Sequence, residues 1–394
     1  MSTAPDYGAM PSLTTTTHTI LASSAVAPNP NPHDPTSLPL AFGDRQMPKL
    51  RLSLSSPLLP VRQRALISLS SLLLNPDCIA SALHADTVSG LCVCLDDDDE
   101  LVRATSGKCL AAISSLAAGK VALAVGNTLP LLGQVANDDK KSVRSAALAA
   151  LAAQADDYDG AHSVLIAGLV PVLVDKAAVE EEGLQVLALD ALIGVVRVDA
   201  GEALRVGAMD VGIALLGHEA GRVRLRAAQL IAALATPFEG KILAVEAGGV
   251  APLVAALGDD ELSVQPEAAR ALMAITVYNG GKVAALEAGG PSMLSDIVVA
   301  DPGDSIDEEE EGEVAAAKER GERVIPVRQE EHVRQLRICA LKAITNIAEH
   351  PLGRRAFLPL VDRIAEIAQA GEADNDALMA RSCEIALRVI QFTP

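Results

Sequence analysis

An all-α solenoid of about eight three-helix repeats is the fold class this sequence predicts, and three observations predict it. Half of the 394 residues are hydrophobic while Phe, Trp and Tyr make up only 2%, so the interior must be packed from Ala, Leu, Val and Ile, which suits closely spaced helices. An aliphatic residue, usually followed by Arg or Gln and then by small or apolar residues four, five, eight and eleven places on, recurs at Val61, Val102, Val143, Leu184, Val223, Val264, Leu336 and Leu378. The separations are 41, 41, 41, 39, 41, 72 and 42 residues, and removing about 31 residues from the one outlier restores the period. A unit of roughly 40–47 residues with three helices is armadillo/HEAT spacing, distinct from the shorter tetratricopeptide and ankyrin units. The expected body is a right-handed superhelix.

The elements follow in order from the spacing. Offsets of four, eight and eleven lie on one face of a helix, so each anchor opens a long third helix that buries a stripe against its neighbours. Seventeen residues after the anchor stand Gly119, Gly160, Gly201, Gly240, Gly281 and Gly353, which read as left-handed helix stops. Sixteen residues before it stand Asp86, Asn127, Gly168, Gly207 and Gly248, all tolerant of turn conformations. Pro130 and Pro171 follow three places later, where the first turn of a helix accepts a missing N–H. Each unit thus reads as a short helix, a turn, a middle helix, a turn and a long third helix. No unit can bury its face alone, so stability comes from neighbouring interfaces.

Two segments escape the period. Residues 1–40 cluster Pro, Thr, Ser and Asn, a composition that cannot offset the entropy of ordering by core burial, so a disordered arm is expected before a solenoid spanning 41–394. Residues 301–331, with Asp301, Asp304, Asp307 and the run Glu308 to Glu311, read as an acidic loop inserted in the seventh repeat. A second acidic cluster, Asp96 to Glu100, precedes Val102 and reads as a helix cap favoured by the macrodipole.

Charge excludes several functions. With 32 basic and 51 acidic residues the formal charge is −19, the wrong sign for neutralising a phosphate backbone, so no nucleic acid and no anionic membrane are expected as partners. Partners presenting basic segments are favoured. The six cysteines, Cys78, Cys92, Cys94, Cys109, Cys339 and Cys383, form no CxxC pair and read as buried free thiols in a reducing compartment. Cys92 and Cys94 have the wrong spacing for a zinc knuckle, so no metal is expected. The first residues lack a basic segment before an apolar run, hence no secretory signal. The apolar stretch 163–174 is too short for a span and holds Gly168 and Pro171.

No enzyme or cofactor site emerges. Gly119-Lys120, Gly240-Lys241 and Gly281-Lys282 are followed by Val or Ile, not by the Ser or Thr of a phosphate-binding loop, and read as helix stops. None of the seven histidines sits in HExxH or beside a nucleophile signature. No small-molecule substrate is expected.

Binding is the remaining role. Armadillo proteins that clamp extended peptides use a Trp six places and an Asn ten places after the anchor. Here offset six carries Ile67, Lys108, Ala149, Asp190, Gln229, Arg270, Lys342 and Glu384. Offset ten carries Ser71, Ala112, Ala153, Gly194, Ala233, Ala274, Asn346 and Arg388. One asparagine and no tryptophan argue against a generic peptide clamp. Small residues along one row and mixed charges along the other predict a shallow floor with polar walls, suited to a helix or folded neighbour. The candidate partner contacts are Lys108, Asp190, Gln229, Arg270, Lys342 and Asn346. Arg62, Arg103, Arg144, Arg224 and Arg337 directly follow their anchors and are expected to tie adjacent units together through loop carboxylates or carbonyls.

Three motifs are more specific than a generic repeat: AFG-x-R-x-x-PKL (Ala41, Phe42, Gly43, Arg45, Pro48, Lys49, Leu50), RQRAL (Arg62 to Leu66) and DDDD-x-LVR (Asp96 to Arg103). Over about 65 residues the chain closely resembles the N-terminal part of the radial spoke head 14 family, also called rhabdoid tumour deletion region protein 1. Beyond them the likeness is repeat-level. The resemblance implies an armadillo-repeat scaffold of the radial spoke, which links a doublet microtubule to the central apparatus in the ciliary or flagellar axoneme and contributes to control of motility. Its partners would be other radial spoke proteins, including the elongated spoke-core subunit. The alternative is a cytosolic armadillo adaptor in trafficking or protein turnover. A ubiquitin ligase is disfavoured, because residues 1–48 lack the sequence for a U-box or RING segment.

Overall fold

The computed structural model describes residues 43–300, 327–373 and 375–392. The expected N-terminal arm, 1–40, lies outside them, as does the acidic insertion over 301–326. Among the described residues there is no strand, and the helices repeat in eight units. The second unit sets the pattern: Pro76–His84, Thr87–Cys94 and Glu100–Ile113. The first unit contributes Gln46–Leu54 and Leu59–Leu72, its second and third helices. The remaining third helices are Lys141–Gln154, Glu182–Val198, Gly221–Leu234, Val264–Ile275, Val327–Ala348 and Ala377–Ile390.

Third helices form the spine of the body, each packed on the next, and the anchors Val102, Val143, Leu184, Val223, Val264 and Leu336 sit in one continuous apolar core, while Val61 is only partly buried. Val102, Val143, Val223 and Val264 are wholly buried. Leu378 departs from the expectation: it is 46% exposed, and Met379 takes the buried place. The cap explains the shift. Asp99 accepts from the backbone N–H of Val102, three residues on, and Asp376 accepts from that of Met379. The third residue of Glu100–Ile113 and of Ala377–Ile390 faces inward, and in the last unit that residue is Met379. The seventh third helix also starts early, at Val327, so the last five residues of the expected 301–331 insertion are helical.

The turn between first and second helices is left-handed at Asp86, Asn127, Gly168, Gly207 and Gly248, and Gly289 continues the series at φ 78°. The glycines seventeen places after the anchor need a different account from the one the spacing suggests. None has positive φ, and they lie in the first turn of the first helix rather than at a helix end. They are glycine because that turn crosses the C-terminal carbonyl of the preceding third helix. A Cβ on Gly119 would meet the Ile113 oxygen at 1.8 Å, and one on Gly240 the Leu234 oxygen at 1.8 Å. Gly201 is the exception, with nothing nearer than Asp199 Oδ1 at 3.2 Å.

Two series of cations bridge neighbouring units. Along one rim, Arg103 donates from Nε and Nη2 to Asp138 at 2.7 and 3.1 Å. Arg144 does the same to Glu180 at 2.7 and 3.0 Å, and Arg224 to Asp259 at 2.7 Å for both bonds. Arg62 pairs with Asp97 at 2.7 Å. The Nη1 atoms of these arginines turn back to carbonyls of the loop between their own unit's second and third helices, as in Arg103 to Asp97 O at 2.8 Å and Arg224 to Glu219 O at 2.8 Å. Each guanidinium therefore satisfies carbonyls of its own unit's loop and a neighbour's carboxylate together. Burial pushes Asp97, Asp138 and Asp259 up, but the arginine bonds and backbone N–H donors outweigh it and hold all three below the usual range. Arg337 donates to Ala300 O, and Arg334, one turn earlier, pairs bidentately with Asp376 at 2.6 and 2.9 Å.

The other rim uses the lysines of the Gly-Lys pairs. Lys120 donates to Asp157 at 2.8 Å, and Lys282 pairs with Glu349. Beyond failing as phosphate loops, these pairs are positions where glycine permits a close crossing and lysine ties it down.

Candidate functional site

The third helices carry Lys108, Asp190, Gln229, Arg270 and Lys342 at one position per unit, because a fixed repeat brings the same helix offset to the same side each time. Lys108 and Lys342 are exposed there and Ile67 is 51% exposed. Asp190, Gln229 and Arg270 are half-buried. Asp190 pairs with Arg226 of the next unit at 2.6 Å, and Arg226 Nη1 donates to Gln229 Oε1 at 3.0 Å. Burial raises the Asp190 carboxyl above its ordinary range, against the opposing pull of Arg226. Arg270 pairs with Glu267 at 3.0 Å within its own helix.

Asn346 is placed differently from a peptide ligand. Its amide donates to Met273 O at 2.9 Å and to Thr276 Oγ1 at 3.3 Å, bonding the seventh third helix to the sixth. The floor between these side chains is built of small residues for a packing reason: a Cβ on Gly194 would meet Ala155 O at 2.1 Å, and one on Gly107 would meet Ala146 Cβ at 2.8 Å.

The structure thus brings Asp190 and Gln229 together through Arg226 and leaves Lys108 at a distance along the solenoid. Arg226 and Glu267 are the members that sequence reasoning missed. Both lie at offset three, one turn before the offset-six row and on the same helix face, so the 3.6-residue period was the signal that could have found them. The result is a row of neutralised pairs, Asp190–Arg226 and Glu267–Arg270, between exposed lysines.

Burial pushes the Cys94 and Cys383 thiols up to about 11 and Cys109 up to about 12, which suppresses the nucleophilic thiolate. Among the described residues no group of three His, Cys, Asp or Glu side chains could hold a metal ion. No single helix among them is long and apolar enough to cross a membrane.

No protein-family model matches the chain. Solved structures do resemble it. An engineered protein superposes with a TM-score of 0.68 at 23% identity, covering 89% of each chain. A designed armadillo repeat protein superposes with a TM-score of 0.55 at 24% identity, covering 58% of this chain and 99% of its own. Another designed armadillo repeat protein, in complex with the peptide (KR)4, gives 0.56 at 24% identity with the same coverage. The chain has the fold of an armadillo-like helical-repeat solenoid.

Proposed function

We propose that this chain is a non-catalytic scaffold subunit of the axonemal radial spoke, holding other spoke proteins on the face of its third helices. The observation that carries the binding role is the row of half-buried Asp190, Arg226, Glu267 and Arg270 over a floor of small residues. Such a surface recognises a folded neighbour by shape and by exchange of ion pairs, which gives specificity more than raw affinity. That one designed neighbour is described with a basic peptide agrees with a solenoid of net charge −19. The missing Trp and Asn rows and the engaged Asn346 amide favour a structured partner over an extended peptide.

Support for the axonemal placement comes from the AFG-x-R-x-x-PKL, RQRAL and DDDD-x-LVR motifs. From Gly43 onward these residues build the first two units and their clamp, where Arg62 meets Asp97 and Gln63 donates to Asp99 at 3.1 Å. A solenoid clamped at successive junctions keeps several partners in fixed geometry under mechanical load. Fractionation of cilia tests the placement: retention on detergent-extracted axonemes and loss from spokeless mutants is expected. Release with the soluble matrix would overturn the spoke assignment and leave a cytosolic adaptor as the reading.

A further inference from the structure

The junction between the sixth and seventh units is built unlike the others. Arginine–carboxylate pairs cross the first, second, third, fifth and seventh junctions, and the fourth is crossed by Asp190–Arg226 and by Arg222–Glu182 at 2.9 Å. At the sixth, Gln265 stands in the arginine position, and its amide reaches only its own unit's Asp259 carbonyl, at 2.8 Å. On the opposite rim Lys241 donates to Ala235 O and Thr236 O at 2.8 and 2.6 Å, because Tyr278 stands where the third unit's lysine finds Asp157. The Asn346 amide and apolar packing join the sixth and seventh units.

At this junction a cavity of about 400 Å³ opens on the arginine-side rim, lined by Leu257, Leu262, Pro266, Met293, Ile297 and Leu336 among others. Its volume lies in the range of binding pockets, and its wall is apolar surface left in reach of water. Glu261 and Asp296 line the cavity together with His332 and Arg337, and Asp260 nearby is paired with Arg224. An acidic mouth over an apolar floor repels phosphates and anionic headgroups and attracts cations.

We propose that this cavity is a second docking site, taking bulky apolar side chains from a partner protein segment that carries Lys or Arg beside them. An amphipathic helix with anchors at i and i+4 meets that description, its apolar residues entering between Leu262 and Ile297 and its cations facing Glu261 and Asp296. The site lies at the rim, away from the offset-six row, and does not depend on where in the cell the chain works.

The test uses the full chain with its methionine methyl groups isotopically labelled and three synthetic helical peptides, with Leu anchors and Lys, Leu anchors and Glu, or Ala anchors and Lys. The Leu/Lys peptide is expected to shift the Met293 methyl resonance saturably, while the other two bind at least tenfold more weakly. Leu262→Glu and Asp296→Lys, both at exposed positions, should each weaken the Leu/Lys peptide at least tenfold while leaving the circular dichroism unchanged. Three results would overturn the proposal: no Met293 shift at saturating peptide, equal binding of Leu/Lys and Ala/Lys peptides, or unchanged affinity in both variants. So would a Met293 resonance that moves, without peptide, when residues 303–324 are replaced by a Gly/Ser linker, since the chain's own segment would then fill the cavity.

Discussion

Replacing Gly240 with Ala should destabilise this protein, although the same change in an ordinary helix stabilises by about 1 kcal/mol. The Cβ would lie 1.8 Å from Leu234 O and 2.8 Å from its carbon. Ordinary contact begins near 3.4 Å, so 3.4 minus 1.8 leaves about 1.6 Å of backbone movement, in a turn that both helices hold rigidly. Overpacking of this kind costs roughly 1–3 kcal/mol and more when the backbone must move, so a net loss of about 2 kcal/mol or greater is expected. Gly201→Ala is the control: its nearest neighbour is a side-chain oxygen at 3.2 Å that can swing away, and its effect should stay within about 0.5 kcal/mol. Urea unfolding followed by circular dichroism gives the midpoints. Amide exchange locates the loss to the fifth and sixth units, since repeat arrays need not unfold in one step. A Gly240→Ala protein as stable as the parent would refute the close-crossing account of the glycine series.

Other consequences can be measured alongside. Arg103→Met strands the Asp138 carboxylate, whose side chain is 13% exposed, and should cost about 3 kcal/mol in chemical unfolding, with Asp138→Asn in the same chain recovering most of it. Asp97, Asp138, Asp259 and Asp376 are held below their ordinary value of 3.8. The stability they contribute is therefore complete above that value and is lost as pH falls through the lower folded values. Acid unfolding should set in below about pH 4, and replacing these aspartates with Asn should flatten the acid limb while lowering stability at neutral pH. Asn346→Ala should cost about 1 kcal/mol through the lost bond to Met273 O, and if it leaves stability unchanged, that amide is not holding the sixth and seventh units. With thiols pushed to about 11 and 12, Cys94, Cys109 and Cys383 should resist alkylation at pH 8 until the chain unfolds, as mass spectrometry would read.

Much of the architecture was legible because the repeat is a one-dimensional signal. The positions of Val102, Val143 and Val223 fix three helices, and Asp86 and Asn127 mark left-handed turns by being short, polar and one period apart. What spacing could not supply was the reason for the second glycine series. A glycine required by a close crossing and one required by positive φ look the same in sequence, and only the position of Ile113 O relative to Gly119 separates them. Leu378 was misplaced by one residue for a similar reason: the anchor is set by the cap at Asp376, not by hydrophobicity. The proposed contact residues were legible as a row but not as pairs. Arg226 reaches Asp190 across 36 residues of sequence, and nothing in either residue's neighbourhood announces the partner.

Cross-linking of the assembled, native complex tests the central claim most directly, because Lys108 and Lys342 stand exposed on the third-helix face. Links from both lysines to other proteins in the parent, and loss of the Lys108 links on charge reversal of Arg270 together with Lys342, are the predicted result. A complex that keeps its composition after that reversal, with links confined to lysines elsewhere on the chain, would contradict the claim that this face holds the partners.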